Sequence, residues 1–208
     1  MNTLDYTTNG NGIEIQFATD HLGHFLLTSL LLPKILSASP GARIVNVSSG
    51  GHYVGPVRFD DYNFDDGKDY DGWSAYGQAK TANILFSRSL AEKLGSKGVF
   101  SYSLHPGSIA TTSLGVHVDD WAVSYANLQA ATLKNTGRPL GQMAALKTSE
   151  QGSATQLIAA LDPQYENVNG AYFDDSVPAE PAEHARSLED AEKLWKLSEQ
   201  LVGEKFVV

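Results

Sequence analysis

Hydrophobic and polar positions along the chain repeat with two periods. From about Ile15 to Leu36 the apolar residues Phe17, Leu22, Phe25, Leu26 and Leu30 fall at helical spacing. This predicts a mostly buried helix, bent or ended near Pro33. The next segment, Arg43-Ile44-Val45-Asn46-Val47-Ser48-Ser49, is short, rich in β-branched residues and bounded by glycines. It reads as a strand buried on both faces. A second long helical pattern runs from about Trp73 to Leu94, with Asp71 or Ser74 as its cap and Gly95 and Gly98 at its exit. Val99–His105 reads as the second strand, closed by Pro106-Gly107. Residues 113–147 are irregular to helical and suit a substrate lid over a pocket. Ser149 is expected to cap a third helix, Glu150–Leu161, and Gly170-Ala171-Tyr172-Phe173 to form the third strand. Ser187, with Asp190 three residues on, is expected to cap a last helix reaching about Val202. Polar residues 1–12 read as a loop and Glu204–Val208 as a loose tail.

Strands that alternate with helices of this length imply crossover units. The predicted fold is therefore α/β: a Rossmann-like parallel sheet with flanking helices, in one domain over residues 1–208. Hydrophobic residues make up 42% and charged residues 19%, the proportions of a globular protein. The net charge of −9 argues against nucleic acid or an anionic membrane as partner. With no cysteine, disulfides and thiolate chemistry are excluded. The N-terminus has neither a basic nor an apolar region, so it does not read as a signal peptide. The longest apolar run, Phe25–Leu36, is about half the length of a membrane span and is broken by Thr28, Ser29, Pro33 and Lys34. A soluble, cytoplasmic protein is expected.

The candidate chemistry centres on Tyr76 and Lys80. Four residues apart on a helix, they share one face. An ammonium beside a phenol favours the phenolate, which predicts a Tyr76 pKa below its ordinary value of about 10. The spacing alone is common. It gains weight because Ser48-Ser49 and Pro106-Gly107 lie at the carboxyl ends of the first two strands, where parallel sheets bind ligands. Other chemistry is disfavoured. The stretch 55–72 holds six Asp, but Asp66 and Gly72 stand where a calcium loop needs Gly and Glu. His21 and His24 stand three apart on a helix, where a packed or capping role is expected and no metal. Ser48-Ser49-Gly50-Gly51 is not a nucleophile elbow.

These residues resemble the short-chain dehydrogenase/reductases, and more closely their retinol-dehydrogenase-like and WW-domain-oxidoreductase-like branch. The matching pieces occur in order: Asp20–Thr28, Arg43–Ser49, Ala75–Asn83, Leu104–Thr111, Thr148–Gly152 and Leu194–Glu199. The resemblance implies an NAD(P)-dependent oxidoreductase that interconverts an alcohol and a carbonyl on an apolar small molecule. NADP is the expected cofactor and NAD the alternative. It implies that Tyr76 is the general acid/base, that Lys80 lowers its pKa and binds the nicotinamide ribose, and that Ser49 orients the substrate carbonyl, with Ser48 as the competing assignment. Pro106, Gly107, Ile109 and Thr111 match the loop that holds the nicotinamide end, with Thr112 as the other threonine available.

Two departures from the family pattern stand out. Asp20 occupies the position of an Asn that is the fourth catalytic member, and an ionised carboxylate can only accept hydrogen bonds. The glycine-rich dinucleotide turn has no counterpart, because Gly10-Asn11-Gly12 is not preceded by a strand. The chain thus reads as a truncated form of the fold with its N-terminal strands missing. A non-redox protein that reuses the same pocket, whether pseudo-enzyme, lyase, isomerase or binding subunit, is the alternative. Uncovered apolar surface on the first strand and on the Phe17–Leu30 helix would favour poor solubility or a homo-oligomer.

Overall fold

The computed structural model describes residues 4–109, 111–142 and 145–206. Ala110, Met143 and Ala144 of the expected nicotinamide loop and lid, Val207 and Val208 of the expected tail, and residues 1–3 of the expected N-terminal loop lie outside the described residues. Four strands form one sheet in the order β1 (Ala42–Val47), β2 (Val99–His105), β3 (Tyr172–Asp174) and β4 (Val177–Ala179). The first three are parallel, with Ala42 opposite Val99 and Ser103 opposite Tyr172, and β4 returns antiparallel to β3. The α/β class with a mainly parallel sheet is as expected from the alternation of patterns.

The N-terminal helical segment is three pieces in line: α1 (Ile15–Phe17), a π-turn (Ala18–Leu22) and α2 (Gly23–Ser37). Pro33 lies inside α2 and does not end it. The helix loses one hydrogen bond there and continues to Ser37. Glu14 caps the start by accepting from the amides of Gln16 and Phe17. Leu30 was expected in the core but is 57% exposed, on one face with Leu27 and Leu31.

One face of the sheet carries α3 (Gly72–Leu94), with α1, the π-turn and α6 (Leu188–Val202) packed on it. Phe25 joins this layer through Phe86, 5.4 Å between ring centres, and Trp195 at 5.0 Å. The other face carries α5 (Ser149–Leu161). Asp71, not Ser74, caps α3, because its carboxylate accepts the Ser74 amide. Thr148, not Ser149, caps α5, in a reciprocal capping box with Gln151. Ser187 caps α6 as expected.

The sheet differs from expectation in two ways. β1 is an edge strand, and Val47 on its outer face is 42% exposed, so β1 is not buried on both faces. β4 was not foreseen. It is three residues long and contains Pro178, tolerated at an edge. The β3–β4 turn holds both Asp175 and Ser176 at positive φ, 46° and 71°, the twist a two-residue hairpin needs. Thr155 of α5 accepts the Ser176 amide and steadies it.

The acidic stretch folds as turns around a buried Phe64, with the Arg58 guanidinium 4.5 Å over its ring. Arg58 and Lys134 both pair with Asp69 at 3.0 Å. Asp61, Asp65 and Asp69 are thus held by cations, Asp61 by Arg58 and Asp65 by Lys68. Among the described residues, no group of three His, Asp or Glu is placed to hold a metal.

Candidate active site

A cleft of about 2040 Å³ opens at the carboxyl ends of β1, β2 and β3, lined by Ser49, Tyr76, His105, Pro106 and Gly107 among others. Helix α4 (Trp121–Thr136) crosses it. Its apolar lining includes Trp73, Leu114, Trp121, Leu128, Leu140 and Leu146.

Chain direction explains how the polar residues meet. Strand β1 ends at Val47, and the next two residues emerge at the sheet's ligand-binding edge. Ser48 is buried, and its hydroxyl donates to the Lys80 carbonyl at 2.7 Å, tying strand to helix. Ser49 faces the cleft, and its oxygen accepts the Gly51 amide at 3.0 Å. Of the two serines, Ser49 is the one that faces the cleft. Gly51 lets the Tyr76 ring lie against the backbone: a Cβ there would fall 2.5 Å from that ring and 3.5 Å from Ser49 Oγ.

Lys80 stands behind Tyr76 as seen from the cleft, with its ammonium 5.5 Å from the centre of the phenol ring. The π-turn brings Asp20 to the same place, where its Oδ2 lies 3.8 Å from Lys80 Nζ. That is an ion pair and too long for a hydrogen bond. Asp20 Oδ2 has no hydrogen-bond partner among the described residues.

The electrostatics reverse one expectation. Burial pushes the Tyr76 phenol up to about 12; hydrogen bonding to Ser49 opposes this in part, and the Asp20 charge adds to it. Desolvation exceeds any benefit from the nearby ammonium. Burial also lowers the Lys80 pKa, and the Asp20 carboxylate pulls it back up.

The loop after β2 passes along the cleft. Gly107 is left-handed at φ 89°, and a Cβ there would fall 2.5 Å from the Lys147 side chain. The Lys147 amide donates to the Ser108 carbonyl at 2.8 Å, fixing the loop to the start of α5. Pro106, Gly107, Ile109 and Thr112 line the cleft, whereas Thr111 turns to Ser149 at 3.3 Å. Thr112, rather than Thr111, is thus the threonine that faces the cleft. His21 is buried against Ser198 at 2.8 Å, a packed residue. Sequence reasoning did not single out Gly51 or His105. The first was legible in the glycine pair after Ser49. The second depends on a contact across 55 residues.

A mainly parallel sheet that gathers a serine, a tyrosine and a lysine at its carboxyl edge defines a Rossmann-like protein. The relatives agree. Short-chain dehydrogenase/reductase prx1 of Penicillium roqueforti is 39% identical over 207 residues, covering 93% of this chain and 57% of that protein. Retinol dehydrogenase 14 of Mus musculus is 40% identical over 198 residues, covering 95% of this chain and 55% of that protein. The crystal structure of an uncharacterised protein from Mycobacterium paratuberculosis superposes with a TM-score of 0.62 at 25% identity, over all of this chain and 66% of that one. No protein-family model matches. The chain belongs to the short-chain dehydrogenase/reductase family, and it spans a little over half the length of the curated relatives it matches.

Proposed function

We propose that the protein is an NAD(P)-dependent oxidoreductase that interconverts an alcohol and a carbonyl on an apolar small molecule. NADP is the preferred cofactor, on the resemblance to its branch, and NAD is the alternative. One observation carries the reading: Ser49 and Tyr76 meet on the wall of one large cleft, with the Lys80 ammonium behind the phenol.

A bound nicotinamide supplies or accepts the hydride. Tyr76 passes the accompanying proton to the substrate oxygen or takes it back. With its pKa pushed up to about 12, the phenol stays protonated at neutral pH and suits the donor role. The Ser49 hydroxyl donates to the same oxygen and orients it. The Lys80 ammonium offsets negative charge arising on the Tyr76 oxygen. Its contact with Asp20 at 3.8 Å leaves its N–H donors available for the hydroxyls of a ribose. That donor set, with the Gly107 turn beside it, fits the nicotinamide end of the cofactor. Pro106, Gly107, Ile109 and one of Thr111 and Thr112 would hold it. Asp20, as the fourth member, keeps Lys80 charged.

Residues 113–147 serve as the substrate lid, and their aromatic and aliphatic lining supports an apolar ligand. The relatives named retinol dehydrogenases make an apolar alcohol the class to try first. A cytoplasmic location is part of this reading, and the absence of cysteine gives no support to a secreted disulfide scaffold.

The test is a titration with NADPH and NADH, followed by turnover of apolar alcohols and aldehydes in the native chain and in Tyr76→Phe. Saturable binding, with turnover lost in the variant, is expected. Absence of binding at millimolar cofactor overturns the reading for this polypeptide.

A further inference from the structure

His105 is the last residue of β2 and lines the cleft. Its Nδ1 accepts the Gly50 amide at 3.0 Å, so the neutral ring carries its proton on Nε2. Gly50 follows Ser49 directly and precedes Gly51, whose amide the Ser49 hydroxyl accepts. A second ring holds the same turn from the other side. His52 accepts the Ala182 amide on Nε2 at 3.1 Å, so its proton is on Nδ1, which donates to the Ser49 carbonyl at 2.6 Å. His184 Nε2 in turn donates to the His52 carbonyl at 2.8 Å. The turn carrying Ser49 is therefore held between two imidazoles in opposite tautomers. His52 is sealed in the protein, whereas His105 opens to the cleft.

We propose that His105 is a positioning residue for the Ser49 hydroxyl: its unprotonated Nδ1 fixes the Gly50 amide, and with it the Ser49 turn, and it does so only while the ring is neutral. This rests on the reading of Ser49 as the group that orients the substrate oxygen. A protonated imidazole bears N–H at both nitrogens and cannot accept from Gly50, so the turn must shift as the ring charges. The charged and titratable groups that act on the ring are Asp174 of β3, Lys147 before α5 and His52. Burial lowers the pKa of the His105 ring first of all; Asp174 raises it and Lys147 lowers it. The working form thus extends below the ordinary histidine range.

Two variants separate positioning from packing. His105→Asn retains an acceptor for the Gly50 amide but does not titrate, while His105→Phe keeps a ring and loses the acceptor. Positioning predicts that His105→Phe lowers kcat by about tenfold to a hundredfold with a smaller change in KM, and that His105→Asn restores most of it and loses the acid limb of the pH profile. A readout independent of turnover is NMR of the isotopically labelled chain. The expected result is an Nε2–H tautomer for His105, and Gly50 and Gly51 amide signals that move with its titration and shift in His105→Phe. An Nδ1–H tautomer, or Gly50 and Gly51 signals that ignore both the titration and the Phe variant, overturns the proposal. If the chain shows no turnover, the oxidoreductase reading fails, and the NMR result still decides the role of His105.

Discussion

Asp20 and Lys80 form a nearly buried ion pair, 3.8 Å apart, directly behind the Tyr76 phenol. The carboxylate acts on both neighbours in the same direction. It raises the Lys80 pKa by attraction and the Tyr76 pKa by repulsion of the phenolate. Asp20→Asn removes that charge at little cost in volume. Tyr76 should then titrate below about 12 and Lys80 lower still, so the pH profile moves to lower pH. Phenolate absorbance, taken as the difference from Tyr76→Phe, checks this; an unmoved or raised Tyr76 titration contradicts it.

Stability should fall on acidification well before the carboxylates titrate. Burial holds His21 and His52 neutral down to about pH 3. In the unfolded chain the same rings charge near pH 6.5. Below that pH the unfolded state binds more protons, so folding weakens as pH drops. The limiting slope is about 1.4 kcal/mol per pH unit for each ring. Urea midpoints measured between pH 7 and 5 should decline, and His21→Gln should reduce the slope. A flat midpoint over that range contradicts the expectation.

Gly51→Ala should disturb the site more than a methyl group usually does. The added Cβ would sit 2.5 Å from the Tyr76 ring, backed by a fully packed helix. Moving that ring should cost about 1–3 kcal/mol of stability and should depress kcat. Thermal melting and turnover together check this. A variant with native stability and native kcat shows that the ring yields freely.

The outer face of α2 exposes Leu27, Leu30 and Leu31 at 58%, 57% and 46%, and β1 offers one unpaired edge among the described strands. Apolar faces and open edges recruit partners. The 208-residue chain should self-associate as concentration rises, and Leu27→Lys with Leu31→Lys should shift it toward monomer. Sedimentation velocity decides this. A single monomeric species at every concentration runs against the prediction.

Much of this site could be read from the chain because its residues sit where local patterns end. Ser49 closes a β-branched run, Pro106-Gly107 closes the next, and Tyr76 and Lys80 share a helical face. What could not be read was set by neighbours distant in sequence. The Tyr76 phenol was expected to acidify beside Lys80, but its burial reverses the sign. Strand β4 is three residues long and contains a proline, too short for any periodicity. The capping box at Thr148 was legible in principle, since Gln151 stands three residues on, but the adjacent Ser149 is an equally good cap by residue type. Pro33 does not stop the helix, because a proline removes one hydrogen bond and the packing of the whole helix decides whether that loss ends it.

The π-turn at Ala18–Leu22 has a consequence for comparing relatives. Its closing bond runs from the Gly23 amide to the Ala18 carbonyl, five residues back, so the helix takes up one residue more than an ordinary turn. Each residue turns a helix by about 100°, and everything downstream is rotated by that step relative to Phe17. A homologue with an unbroken helix here should be one residue shorter between Phe17 and Gly23. An ungapped alignment through this stretch would pair the wrong faces of α2, matching its exposed leucines to core positions.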